Sequence, residues 1–192
     1  MPYRELYRRR QAANGDFQPR KWYVGQALEL PWVRSIEAVA SDKMAIADLR
    51  GFIVRHGLEA QNVLSHHYTI VVAEGMDQFA ERMVVIKELM HCFFEAGDGT
   101  ATDSEIVLDA HLRQFFGKSA HTQSLHVQAE YTALWMAYGV LCPERRRVEF
   151  RKSVLSGDQT LEEVSNLLRI PPHNARLLLS DQFEDEIRDI LN

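Results

Sequence analysis

The residues best suited to chemistry form the segment KELMH, which runs from Lys87 to His91 inside an apolar stretch. Positions three and four apart share one face of a helix, so Glu88 and His91 are neighbours there. A carboxylate can take a proton from a metal-bound water, and an imidazole can bind the metal. Lys87 lies one turn before His91, and its ammonium group has no lone pair to give a metal. The segment thus carries two groups of a hydrolytic metal site and a cation where a further ligand would be expected.

The elements around this segment have recognisable signals. His67–Ala73 is dense in aromatic and β-branched residues, which is typical of a strand, and Glu74-Gly75 closes it. Asp77 can cap a following helix that presents a buried apolar face and runs to a break at Gly97-Asp98-Gly99. A later apolar pattern from about Leu125 to Leu141 predicts another helix, which ends at Pro143.

The order of these elements resembles the ImmA/IrrE family of zincin-like metallopeptidases. The stretch HYTIVVAEG followed by MDQFAERMVVIKELMHCFF has the layout of the strand, the turn and the HExxH helix in that family. The segment from Thr132 to Pro143, TALWMAYGVLCP, is similar to the family pattern E-A-[ND]-x-F-A-x-x-L-L-M-P around the third zinc ligand. The resemblance covers roughly residues 30–180, and the order of the motifs carries most of it.

The resemblance implies that most of the zinc ligands are missing from this site. Glu88 matches the water-activating glutamate and His91 the second zinc ligand, whereas Lys87 and Thr132 stand at the first and third ligand positions. One ligand of three cannot hold zinc, and a water without zinc is not acidic enough to be activated. We therefore expect a catalytically inactive member without a metal cofactor. Lys87 would supply the missing positive charge, with Glu88 or Glu130 as its partner.

An active enzyme with shifted ligands is the alternative. His91, Glu130 and one further histidine could surround zinc, and the chain would then cleave a helix-turn-helix repressor, as the resemblance implies. The candidate histidines are His66, His67, His111, His121 and His126. An acyl-transfer triad is disfavoured, because the sequence has no GxSxG elbow and Cys92 and Cys142 lie in apolar surroundings.

The predicted fold is mainly α with a small β-sheet, that is, α+β. We divide the chain into a basic N-terminal segment (1–29), a zincin-like domain with a degenerate site (30–150) and a helix-turn-helix-like helical module with an acidic tail (151–192). The apolar spacing from Pro31 to His56 predicts one or two helices, and a further helix is expected over 103–116.

The C-terminal module has a clear start signal. Thr160 and Glu163 form a capping box, and the pattern to Leu179 reads as helix, tight turn and helix. A DNA-reading helix there could offer only His173, Asn174 and Arg176 to base edges. A basic cluster spans the start of the module and comprises Arg145, Arg146, Arg147, Arg151 and Lys152. DNA contact is therefore a weaker alternative to a helical pair that packs on its own domain.

Composition limits the partners and the cellular location that we expect for the protein. The 192 residues carry 22 Lys and Arg against 27 Asp and Glu, and the net charge of −5 disfavours extensive binding to phosphate backbone. The two cysteines form no metal or disulfide pattern, and no apolar run approaches the roughly 20 residues that span a bilayer. We expect a cytoplasmic protein that does not contact membranes and acts by binding a protein partner. The resemblance implies a transcriptional regulator in bacteria or their mobile elements as that partner.

Overall fold

The computed structural model of the chain describes residues 2–44, 50–60, 63–94 and 125–192. The predicted helix over 103–116, together with His111 and His121, lies outside these ranges. His126 lies within a described helix, but its side chain does not belong to the described part.

Three strands form one mixed sheet in the order β1-β3-β2. They are β1 (Val33–Ser41), β2 (Gly51–Ala60) and β3 (Val63–Ala73). β1 runs parallel to β3, and β2 runs antiparallel to it. The predicted strand at His67–Ala73 is confirmed, and it begins four residues earlier. One face of the sheet is buried through Ile53, Ile70 and Val72, because α3 packs against β2 and β3.

The helical prediction for Pro31–His56 is wrong, since β1 and most of β2 occupy this stretch. Val33, Ile36, Val39 and Ala40 fit a helical spacing, yet the segment is extended and largely exposed. Its β-branched residues favour a strand, and pairing with β3 outweighs the weak helical periodicity. Pairing with β3, and not the local sequence pattern, therefore determines the structure of this segment.

Eight α-helices belong to the described residues. They are α1 (Pro2–Ala12), α2 (Arg20–Leu28), α3 (Gln78–Met90), α4 (Leu125–Leu141), α5 (Glu144–Ser156), α6 (Leu161–Leu168), α7 (Pro172–Leu178) and α8 (Gln182–Leu191). A short 3₁₀ turn, His91–Phe93, continues α3. The predicted combination of a mainly helical chain with a small sheet is confirmed.

The helix-end signals read from the sequence are present. The Asp77 side chain accepts hydrogen bonds from the backbone N–H groups of Phe79 and Ala80 at the start of α3. Thr160 and Glu163 form the reciprocal capping box at the start of α6. These caps satisfy backbone donors that have no partner inside the helix, which fixes where α3 and α6 begin.

The N-terminal segment is anchored to α4. The Tyr23 hydroxyl donates to the carbonyl oxygen of Val140 at 3.0 Å, and the fully buried Arg10 donates to the same oxygen at 2.9 Å. Arg10 also donates to the carbonyl oxygen of Asp16 at 2.7 Å. Because the last carbonyls of a helix have no partner within it, these donors complete the C-terminal end of α4.

Among the described residues, no helix combines the length and apolar character needed to cross a membrane.

Candidate functional site

The site lies where α3 packs against α4. Lys87 and Glu88 are on the last turns of α3, His91 follows directly, and Glu130 comes from the first turns of α4. Glu88 and His91 are buried, with 1% and 5% of the residue surface exposed. The structure therefore brings together four of the five residues that the sequence singled out.

Lys87 is the centre of this cluster. Its ammonium group donates to Glu88 Oε1 at 2.8 Å and also to Glu130 Oε2. The side chain is 18% exposed, so water screens these contacts only in part. The predicted pairing of Lys87 with a carboxylate is present, and it involves both candidate partners at once.

The imidazole of His91 completes the cluster. His91 Nε2 lies 3.1 Å from Glu130 Oε1 and 3.7 Å from Glu88 Oε2. Among the described residues, neither ring nitrogen of His91 has a well-directed hydrogen-bond partner, and neither does Glu88 Oε2. The ring also packs against Phe94, with 5.6 Å between the ring centroids.

The charges stabilise each other. Burial disfavours the charged form of Lys87, but the carboxylates of Glu88 and Glu130 outweigh it and hold the pKa of Lys87 above its ordinary value. Burial would likewise raise the pKa of Glu130. The contacts with His91 and Lys87 reverse this effect and hold the pKa of Glu130 well below its usual range. Lys87 is therefore an ammonium and Glu130 a carboxylate at neutral pH.

The possible ligand atoms around Lys87 determine whether a metal ion fits this site. Glu88, His91 and Glu130 each offer a ligand atom, and these atoms lie within 4.8 Å of one another. In the described part of the chain this is the one such group of three or more. A divalent metal ion does not fit beside Lys87. The Lys87 ammonium group already contacts both carboxylates where such an ion would lie. In this arrangement the lysine places one positive charge between the two carboxylates.

Thr132 does not belong to the cluster. Each residue of a helix turns by about 100°, so Thr132 points about 200° away from Glu130. It lines a surface cavity of about 650 Å³ together with Arg4, Tyr131 and Glu186. The residue facing α3 is Glu130, which lies two positions before the residue that the motif pattern indicates. Its spacing of three and seven from the fully buried Ala133 and Ala137 is the signal that identifies this face.

The remaining histidine candidates on the sheet lie elsewhere. His67 contacts the Ser35 hydroxyl between β3 and β1. His66 lies edge-on to Tyr68, with 6.1 Å between ring centroids. Neither belongs to the group around His91. A zinc site built from His91, Glu130 and a strand histidine is not present in this structure.

The two thiols are buried and unpaired with each other. Burial raises the pKa of Cys142 to about 12 and raises that of Cys92 as well. A thiol in this state is a poor nucleophile at neutral pH. The structure agrees with the sequence analysis in giving neither cysteine the surroundings of a nucleophile.

The C-terminal helical pair packs inward. Asn174 is buried and donates from Nδ2 to the Tyr138 hydroxyl at 2.7 Å, so it is not available to a base edge. Leu178 is fully buried and Leu179 nearly so. Only His173 and Arg176 of the three proposed base-reading residues are exposed.

The basic cluster on α5 is largely neutralised. Arg147 is fully buried and donates to Glu144 and Glu184 at 2.7 and 3.0 Å. Arg146 forms a two-point contact with Asp16, at 2.6 and 2.8 Å. These pairs join α5 to the acidic end of the chain and to the loop after α1, and the two arginines that form them are not free to bind phosphate.

No protein-family model, curated protein or solved structure matches the chain.

Proposed function

We propose that this protein is a metal-free, non-catalytic relative of the ImmA/IrrE metallopeptidases that acts by binding another protein. One observation carries the proposal: the Lys87 ammonium group lies between the carboxylates of Glu88 and Glu130. The resemblance would put the metal of an active member at this place. A cation fixed by the chain itself removes the electrostatic demand for a metal. Without a metal-bound water, Glu88 has no acidic proton to take.

The surrounding elements support a zincin-like arrangement. A strand, a tight turn and a helix ending in Lys87-Glu88-x-x-His91 follow one another, and α4 supplies Glu130 from the facing side. The partner we propose is a transcriptional regulator, as the resemblance implies, with the substrate cleft retained as a docking groove. In this proposal the C-terminal module packs against the rest of the same chain. The protein acts in the cytoplasm.

A working metallopeptidase is the second candidate. It is favoured by the close approach of Glu88, His91 and Glu130, whose ligand atoms lie within 4.8 Å of one another. In that case Lys87 would have to leave the two carboxylates, and Glu88 would serve as a ligand and no longer as the base.

Co-expression with transcriptional regulators of the same genome separates the two candidates. We expect a regulator to co-purify with the wild-type protein at full length, as judged by its intact mass. Glu88→Gln serves as the control, because it removes the carboxylate and leaves the shape of the side chain. A regulator cut at one bond by the wild type and left whole by Glu88→Gln would overturn the proposal.

A further inference from the structure

Helix α2 begins without a side-chain cap. The residue before it is Pro19, and no side chain in the described part of the chain accepts a hydrogen bond from the first N–H groups of this helix. These groups have no acceptor within the helix either. The first turn carries Arg20 and Lys21 and no acidic residue. A helix start with free N–H groups and positive side chains favours a bound anion.

Arg82 brings a buried positive charge to the same place. Its guanidinium group donates from Nη2 to the carbonyl oxygen of Gln18, two residues before α2 begins, at 2.9 Å. Only 5% of the residue surface is exposed, and Nε has no hydrogen-bond partner among the described residues. A buried cation and an unpartnered donor both destabilise the folded chain. An anion at the start of α2 would lessen the first of these effects through its charge.

The ring of Phe17 joins Arg82 to another arginine. The guanidinium carbon of Arg82 lies 4.4 Å from the centre of this ring, and that of Arg169 lies 4.6 Å from it. An aromatic ring attracts a cation but does not neutralise it. Burial lowers the pKa of Arg82 most, and repulsion from Arg20 and Arg169 adds to this effect. The fold thus holds several positive charges close together at a cost in electrostatic energy.

The nearby carboxylates neutralise only part of this charge. Glu81 accepts a hydrogen bond from Arg20 at 2.6 Å. Asp16 precedes Phe17, but both of its carboxylate oxygens are engaged by Arg146. Three cations near the start of α2 have no carboxylate partner within the described ranges: Lys21, Arg82 and Arg169. This excess of positive charge contrasts with the net charge of −5 of the whole chain.

We propose that the start of α2 binds a phosphate group, and that Arg82 and Arg169 stabilise its charge. A phosphate monoester carries about two negative charges at neutral pH and has three strong acceptor oxygens. These oxygens suit the free N–H groups of α2, and the exposed Arg169 can donate to them as well. A carboxylate carries only one negative charge and therefore compensates less of the excess. The group can belong to a free phosphate ion or to a nucleotide.

Arg169 offers a variant that leaves the backbone relaxed. It ends α6 in the left-handed conformation, with φ 53° and ψ 52°. Asparagine adopts this conformation more readily than arginine does. Arg169→Asn therefore removes the charge without introducing backbone strain, so that weaker binding in this variant reports on the lost guanidinium group.

Isothermal titration calorimetry with inorganic phosphate, at neutral pH and constant ionic strength, tests the proposal. We expect one phosphate per wild-type chain and about 10-fold weaker binding in Arg169→Asn, because a charge-assisted hydrogen bond is lost. Arg145→Asn is the matched control, since its side chain on α5 is 86% exposed and belongs to another surface. Acetate is the carboxylate probe and should bind about 10-fold more weakly than phosphate.

A parallel titration with adenosine 5′-monophosphate distinguishes the two sources of the phosphate group. Equal affinities for the nucleotide and for inorganic phosphate indicate a site for the free ion, whereas tighter binding of the nucleotide indicates a nucleotide site. Both results support the proposal if Arg169→Asn weakens them.

Thermal unfolding gives a second measurement. Phosphate should raise the Tm of the wild type and of Arg145→Asn more than that of Arg169→Asn, because a ligand that binds the folded chain stabilises it. Absence of phosphate binding to the wild type would overturn the proposal. Equal affinities of the wild type and Arg169→Asn would indicate an adventitious ion only, and acetate binding as tight as that of phosphate would indicate a carboxylate site. Either result would overturn the proposal as well.

Discussion

Lys87 on α3 and Glu130 on α4 form an ion pair that joins two helices across 43 positions of the sequence. The same ammonium group donates to Glu88 at 2.8 Å. A cluster that resembles a metal site is thus closed by a side chain of the protein itself. The consequences concern stability as much as chemistry, because one lysine contacts both carboxylates.

Loss of the lysine charge should destabilise the fold. Lys87→Met keeps the length of the side chain and leaves Glu88 buried beside Glu130 without a cation. We expect the free energy of unfolding to fall by about 2 kcal/mol, since water at the 34% exposed Glu130 reduces the roughly 3–5 kcal/mol typical of a broken buried pair. Urea unfolding at neutral pH measures the change. Lys152→Met is the matched control, and an equal stability of both variants would contradict the account.

The crossing of α1 and α8 over α4 depends on Gly139. A Cβ atom at this position would lie 2.3 Å from the Tyr3 hydroxyl oxygen and 2.8 Å from Ile187 Cδ1. We expect Gly139→Ala to lower the free energy of unfolding by about 1–2 kcal/mol, because overpacking outweighs the better helix propensity of alanine. Gly25→Ala on α2 is the control, since nothing lies within 4 Å of its added Cβ atom. Thermal unfolding that ranks the two variants in the opposite order would contradict this packing.

Arg10 should be important for the end of α4. Its guanidinium group is fully buried and donates to carbonyl oxygens, including those of Val140 and Asp16. Arg10→Leu removes this donor from the carbonyl oxygen of Asp16 and leaves that of Val140 with the Tyr23 hydroxyl alone, and we expect a loss of about 2 kcal/mol in the free energy of unfolding. Arg8→Leu, whose side chain is 77% exposed in the wild type, should change the stability little. Similar losses for both variants would argue against this role of Arg10.

The buried thiols predict a specific dependence on pH. Since burial raises the pKa of Cys142 to about 12, and raises that of Cys92 as well, both thiols stay protonated in the folded protein at pH 8. We expect negligible alkylation by iodoacetamide at this pH in the native state and rapid modification of both thiols in urea. Because the thiols ionise more readily in the unfolded chain, the free energy of unfolding should decrease as the pH rises above the pKa of an unfolded cysteine. Fast native alkylation at pH 8 would contradict the burial.

The part of the site on α3 could be predicted from the sequence. The Asp77 cap and the apolar spacing locate the helix, and helical geometry then places Lys87, Glu88 and His91 together. The residue contributed by α4 depends on the rotation of that helix against α3. A motif alignment indicates Thr132 for this position, whereas the packed face of α4 carries Glu130.

The sheet was predicted less well for a related reason. The dense aromatic and β-branched residues of β3 are a strong local signal, and the strand predicted from them is present. β1 is exposed along most of its length, so its side chains show no alternation that burial would impose, and its apolar positions also fit a helix. Pairing with β3 fixes its conformation, and such a long-range partner is not visible in a local pattern.

The zinc content of the purified protein, measured by plasma mass spectrometry after growth with added zinc, decides whether Lys87 or a metal ion occupies the site. We expect no stoichiometric zinc in the wild type. We expect near-stoichiometric zinc in Lys87→His, where an imidazole joins His91 and Glu130 as a third ligand. Near-stoichiometric zinc in the wild type that is lost in His91→Ala would contradict the account and favour a working metallopeptidase.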